Sequence, residues 1–315
     1  MRLRVLMAVI LLAAGAARAA EPPAVDLGQD HPLTGRIWDV AASRLVTSET
    51  LTARLAASRF VLLGERHDHP EHHRLQASIV GGVAAVGRRP TVAFEMLDAD
   101  QAAALAAYLQ RSPRDATGLG DAVGWSRSGW PPWPLYQPIA DAALAAGLPL
   151  AAVNLPAAAA RAVARGNLDA LPPTLVRIHG LDRPAAPAVQ TAMEAEMRDS
   201  HCGKLPDAVL PAMVTAQRAR DATMADGMQA AHDGAILIAG AGHVRTDRGV
   251  PVYLAARAAG ATIASVAFVE VHTGGTTAPD YAERFGAERL PFDYVWFTRR
   301  ADDVDHCARF ERSRG

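Results

Sequence analysis

The segment Phe60-Val61-Leu62-Leu63-Gly64-Glu65-Arg66-His67-Asp68 decides how the chain reads. Four consecutive apolar side chains indicate a strand buried on both faces, because a half-exposed strand would alternate apolar and polar. Gly64 then permits a sharp turn, and four charged or titratable residues follow at once. Asp68 is the expected N-cap of a helix that has Pro70 in its first turn.

The same rhythm recurs outward from this point. Short apolar runs at 91–94, 148–153, 235–239 and 262–268 read as further buried strands. Helical stretches at about 99–109, 138–146 and 252–259 lie between them, and 294–297 reads as an edge strand. Buried strands alternating with helices predict an α/β fold, a parallel sheet flanked by helices. Between the third and fourth strands the rhythm breaks. Residues 156–231 carry Ala-rich helical patterns cut by Pro172-Pro173, Pro184 and Pro206, so a smaller helical subdomain inserted before the fourth core strand is expected. The α/β core then comprises 20–155 and 232–315. Residues 125–138 read as a Trp- and Pro-rich loop, and Gly274-Gly275-Thr276-Thr277 as an exposed one.

The first 19 residues have the form of an export signal: Arg2 and Arg4, an apolar run at 5–14, and Ala17-Arg18-Ala19 before the expected cleavage point. No Cys follows the run, so no lipobox is read. Loss of Arg2, Arg4 and Arg18 takes the basic count from 32 to 29 against 33 acidic residues, a balance of −4. That argues against a nucleic-acid partner, which wants a basic face. In an oxidising compartment Cys202 and Cys307 are read as a disulfide tying the tail to the middle of the chain, with two free buried thiols as the alternative.

Polar residues gather where the strands end. Glu65 and His67 follow the first, Glu95 ends the second, Asn154 the third, Gly240-Ala241-Gly242-His243 follows the fourth, and Glu270 and His272 the fifth. Ligands of open parallel sheets collect beyond these carboxyl ends. The two Gly-x-x-His elements, with Glu65 and Glu95 near them, suit either a divalent metal site or an acid/base pair. Each residue alone is explained as loop polarity; their coincidence on one edge points to a site. His69, His72 and His73 are expected on a solvated helix surface, although His69 and His73 have a metal-ligand spacing. Trp125, Trp130, Trp133 and Tyr136 form either a wall for a planar apolar ligand or a pin holding a long loop to the core. Tyr136 has a phenol that can ligate ferric iron. Gln217, Arg220, Asp221 and Met224 share a helix face by spacing, although Arg220 and Asp221 are adjacent and should diverge. Arg220 suits either a propionate or a salt bridge.

The ordered set VLLGERHDHPEHHRLQ, VAFEML, GWPPWPLYQPI, HCGKLPDAVLPAMVTAQRARDATMA, AGAGHVRTDRGVP and DYVWFT resembles the ChaN-like haem-binding uptake family, within the TIKI/TraB/erythromycin-esterase superfamily, over about residues 59–298. The resemblance implies a parallel-sheet domain with a small helical domain. It also implies periplasmic or outer-membrane-associated haem binding linked to iron uptake. Expected partners are haem, a second copy of the chain and an outer-membrane haem or iron receptor system. The family's tyrosine ligand falls by motif on Tyr136, and His67, Trp130, Arg220 and His243 are the other haem-site candidates. The superfamily's enzymatic branches imply an alternative, a metal-dependent hydrolase or protease using Glu65, His67, Glu95 and His243, with Glu65 or Glu95 as base. Lipid-anchored members carry a lipobox that is not seen here.

Overall fold

A computed structural model describes residues 27–305 and 307–308, so the export-signal expectation lies outside the described residues. Eight strands form one mixed sheet. They are β1 (Ile37–Asp39), β2 (Arg44–Val46), β3 (Phe60–Glu65), β4 (Thr91–Asp98), β5 (Leu150–Asn154), β6 (Ala235–Gly240), β7 (Ile263–Glu270) and β8 (Tyr294–Thr298). Their order is β2-β1-β8-β7-β3-β6-β4-β5. Every pair from β8 to β5 is parallel, whereas β1 pairs antiparallel with both β2 and β8. This is the α/β, mostly parallel sheet that the apolar runs imply.

The central strand β3 is buried at all six positions. Its side chains alternate between two cores. Val61 and Leu63 join Ile236 and Ile238 of β6 on one face, while Phe60 and Leu62 join Leu237 on the other. Helices cover both faces: α1 (Ser48–Ala56), α2 (Pro70–Ala85), α3 (Ala102–Arg111), α4 (Leu119–Ala122), α5 (Trp133–Ala145), α6 (Ala157–Val163), α7 (Pro173–His179), α8 (Pro187–Ser200), α9 (Leu210–Gln229) and α10 (Val250–Arg257). Helices α6 to α9 fall between β5 and β6 and bring a small core of their own around Val163, Leu171, Leu175 and Ala219. The C-terminal half of α9 also feeds Met224, Ala225 and Met228 into the sheet core, so the insert is packed onto the sheet.

Three expectations are corrected. Strand β8 is not an edge: the β1–β2 hairpin covers it, with Ile37 opposite Trp296. Each hairpin strand has only three residues, too few for a periodic signal, and Ser43 at φ 50 makes the turn. Second, the Trp- and Pro-rich stretch is not all loop. Helix α5 begins at Trp133 with Pro134 in its first turn and runs through Pro138. A proline near the start of a helix loses little, because the first N–H groups have no partner in any case. Third, His69 and not Asp68 caps α2: its Nδ1 accepts from the Glu71 N–H at 3.2 Å, while Asp68 pairs with Arg66 at 2.7 Å.

Candidate functional site

The carboxyl ends of β3, β4 and β6 meet, and two glycines let them do so. A Cβ on Gly64 would overlap Val244 and stand 3.0 Å from the Ala241 Cα. A Cβ on Gly240 would stand 2.7 Å from His67 Nε2. Without side chains there, the loop carrying His243 lies against β3 and the His67 ring lies over β6. Strand β4 shifts register against β5 between Phe94 and Asp98, and its pairing with β6 ends at Phe94. Such an irregularity re-aims a side chain, here Glu95.

Glu95 is 1% exposed and carries the centre of the network. Its Oε1 accepts from Arg220 at 2.6 Å and contacts His243 Nε2 at 3.1 Å. Its Oε2 accepts the Gly240 N–H at 2.7 Å, and His67 Nε2 lies 3.9 Å away. The other His243 nitrogen meets Asp221 at 2.6 Å. Arg220 and Asp221, expected to diverge on α9, both reach the site because Glu95 and His243 flank that helix. Glu65 orients the remaining imidazole: its Oε1 is 3.0 Å from His67 Nδ1 and accepts from the Tyr136 hydroxyl at 2.9 Å.

Burial and charge set the protonation of this network. Burial opposes a charged His243, but the Glu95 and Asp221 carboxylates outweigh it and push its pKa up to about 9. Burial likewise opposes a charged His67, yet Glu95 and Glu65 raise its pKa above the ordinary value. Burial tends to raise Glu95, but His243, His67 and Arg220 hold it well below the usual carboxylate range. Burial of Asp221 raises its pKa despite the His243 contact. His243 is therefore held as a cation near neutral pH, and His67 is biased toward its charged form.

The metal expectation for Glu65, His67, Glu95 and His243 loses its support on the same geometry. The Glu95 oxygens are turned to an arginine, an imidazolium and a backbone N–H. Among the described residues no group of three His, Cys, Asp or Glu side chains is arranged to hold a metal ion. The role of iron ligand does not suit Tyr136. It is fully buried, its hydroxyl donates to Glu65, and burial together with the Glu65 charge pushes its pKa up.

The histidines expected on a solvated surface are instead buried: His69 and His72 are 1% exposed and His73 is 0%. Burial lowers the pKa of both His69 and His72, so they stack as neutral rings 3.8 Å apart. His72 accepts the Arg66 N–H at 3.0 Å and donates to Thr298 at 2.9 Å, while His69 donates to the Arg299 carbonyl at 2.9 Å. They tie the loop after β3 to β8. His73, expected on the helix surface, instead puts its Nε2 3.1 Å from Glu65 Oε2. Its spacing from His69 does not bring the two rings to one partner, because His69 turns to the Arg299 carbonyl. Asn154 supports the edge by donating to the Glu95 carbonyl at 2.7 Å. Glu270 belongs elsewhere, paired with Arg66 at 2.9 Å, and His272 lies near Tyr281.

The network borders open space on one side. His67 has a third of its side chain exposed and stacks obliquely on Trp130 at 4.7 Å. Trp130 and Arg220 line a cleft of about 770 Å³, together with Met96, Leu155, Arg127 and Arg161 on its apolar and cationic walls and Asp98, Asp100 and Asp121 as its acidic side chains. Trp125 and Trp133 do not reach it; their indole N–H groups donate to the Pro131 and Ala116 carbonyls and pin this stretch to the core. The sulfurs of Cys202 and Cys307 are bonded, and the cysteine Cα atoms lie 5.5 Å apart. Among the described residues no helix is long and apolar enough to cross a membrane.

The solved structure of ChaN of Campylobacter jejuni, described as showing cofacial heme binding, superposes with a TM-score of 0.65 at 20% identity, over 82% of this chain and 95% of that one. The type III effector HopBA1 gives 0.47 at 14% identity over 80% and 92%. A mutant of the erythromycin esterase EreC in its open conformation gives 0.39 at 15% identity over 86% and 84%. The first shows a common fold. Comparison with curated proteins gives no match. The family model for haem-binding uptake, Tiki superfamily, ChaN, matches residues 51–254, and on that match the chain belongs to the ChaN haem-binding uptake family.

Proposed function

We propose that this protein binds haem in the cleft beside the imidazole–carboxylate network and serves iron uptake after export to the periplasm. The cleft carries the reading. A porphyrin needs apolar contact for its faces and cations for its propionate edge, within a volume of roughly 300–1,000 Å³. The cleft of about 770 Å³ supplies Met96, Leu155 and Trp130 for the first and Arg220 for the second. His67, oriented by Glu65 and biased toward its charged form by Glu95 and Glu65, stands at the same opening through its contact with Trp130. The residues present therefore fit the group. Haem, when bound, supplies the iron and the anionic edge. The chain's own residues hold and orient it: Trp130 by ring contact, Arg220 and His67 by charge. His243 and Tyr136 stand behind them, fixing Glu95 and Glu65. A second copy of the chain and an outer-membrane haem or iron receptor are the partners this reading expects.

Indole fluorescence tests the placement, because haem quenches tryptophans close to it. Hemin should quench the wild type saturably, and Trp130→Phe should lose a disproportionate share of the quenching. The Tyr136→Phe variant should leave the haem absorption band where it is, because the phenol is buried and committed to Glu65. Quenching indifferent to Trp130 would place the haem elsewhere, and a band moved by Tyr136→Phe would make the phenol an iron ligand.

A further inference from the structure

Beneath the network lies a titratable side chain that the haem reading does not use. His73 projects from α2 into the interior and is 0% exposed. Its ring lies 4.3 Å from that of Tyr136. Its Nε2 is 3.1 Å from Glu65 Oε2, within ion-pair distance but not aligned as a hydrogen bond, and neither ring nitrogen has a hydrogen-bond partner. Glu65 Oε2 has no aligned partner either, whereas Oε1 serves both His67 and Tyr136.

A buried imidazole without aligned bonds is costly, and an apolar side chain would fill the same space against Tyr136 more cheaply. The polar contact of His73 is directed at one carboxylate oxygen. That carboxylate is fully buried and stands between two imidazoles, one exposed to the cleft and one enclosed. A carboxylate held at one oxygen alone can swing about its last torsion, which is a soft one. Held at both, it can fix the His67 ring. We propose that His73 is a positioning residue: by holding the second oxygen of Glu65 it fixes the plane of that carboxylate and, through it, the orientation of His67 at the cleft. This rests on the haem reading for its functional consequence, but not for its structural one.

Two measurements separate the two. In the ligand-free protein, nitrogen-resolved NMR of the imidazoles should show the His67 ring as a single ordered species. In His73→Ala its signals should broaden or double, and in His73→Gln, which keeps a donor facing Glu65, they should stay close to the wild type. Hemin titration of the same variants should show affinity weakened about ten-fold in His73→Ala and largely kept in His73→Gln. The loss should vanish when His73→Ala is added to His67→Ala, because coupled residues are non-additive. A purely structural role would lower affinity additively in both backgrounds. Unchanged His67 signals in His73→Ala, or additive losses, overturn the proposal. Wild-type protein that binds no hemin, with His67 signals still altered by His73→Ala, overturns the haem reading and keeps the positioning role.

Discussion

His243 is a cation enclosed by two carboxylates, and that fixes how its contribution depends on pH. Its pKa rises from the ordinary 6.5 to about 9 in the folded protein because Glu95 and Asp221 outweigh burial. A raised pKa means that the stabilisation is full below 6.5 and is lost as pH climbs through about 9. Glu95 has the opposite sign: its lowered pKa gives stability above 4.5 that is lost in acid. We predict that the melting temperature falls as pH rises from 6.5 to about 9, and that His243→Gln, starting from a lower value, shows a smaller fall over the same interval. Equal slopes would mean that the imidazole is not charged in the native state. At this scale much of the site was legible. Glu65, His67, Glu95 and His243 sit at strand ends, and strand ends are visible as the termini of apolar runs. Burial of His69, His72 and His73 was not legible, because helix spacing names a face without saying what packs on it. Here the end of β8 covers His69 and His72, and Tyr136 of α5 lies against His73.

The two glycine turns make contact possible between elements, and they differ in what they face. At Gly64 an added methyl meets the fully buried Val244 side chain and the Ala241 backbone. At Gly240 it meets the His67 ring, which has a third of its surface open to the cleft and can shift. Gly64→Ala should therefore cost about 1–3 kcal/mol of stability, as overpacking does. Gly240→Ala should cost less stability but displace His67, so its main effect should fall on hemin affinity. Denaturant unfolding of both variants beside hemin titration checks this, and a Gly240→Ala protein with wild-type affinity would contradict it. Long strands and the helical insert were legible as elements because their patterns run over many residues. The β1–β2 hairpin was not, since three-residue strands have no period, and it is this hairpin that moves β8 into the sheet interior. The convergence of Arg220 and Asp221 was equally hidden: angular separation on α9 does not show that two strand ends lie on either side of that helix.

Across the whole molecule, the C-terminal segment straps the sheet edge to the helical insert. Arg66 pairs with Asp302 at 2.8 Å, the Ala301 N–H donates to Glu270 at 2.7 Å, and Cys307 is bonded to Cys202 across 105 residues. Closing a loop of that length restrains the unfolded chain, so Cys307→Ser should lose about 2–4 kcal/mol. Reductant should lower the wild type to the stability of the variant and leave the variant unchanged. A reductant-insensitive wild type would contradict the bond's contribution. The strap borders the β3–β7 side of the carboxyl edge through Arg66 and Glu270, and the insert borders the cleft on the other side through Arg220.

The proposed haem site lies at this edge and its cleft. Titration of the purified protein with hemin, followed in the Soret region, tests it most directly. A saturable, shifted band is predicted, weakened in His67→Ala and in Trp130→Ala, whose side chains touch at the cleft mouth. A band that never departs from that of free hemin at micromolar concentrations, or one that both variants reproduce unchanged, would contradict the account.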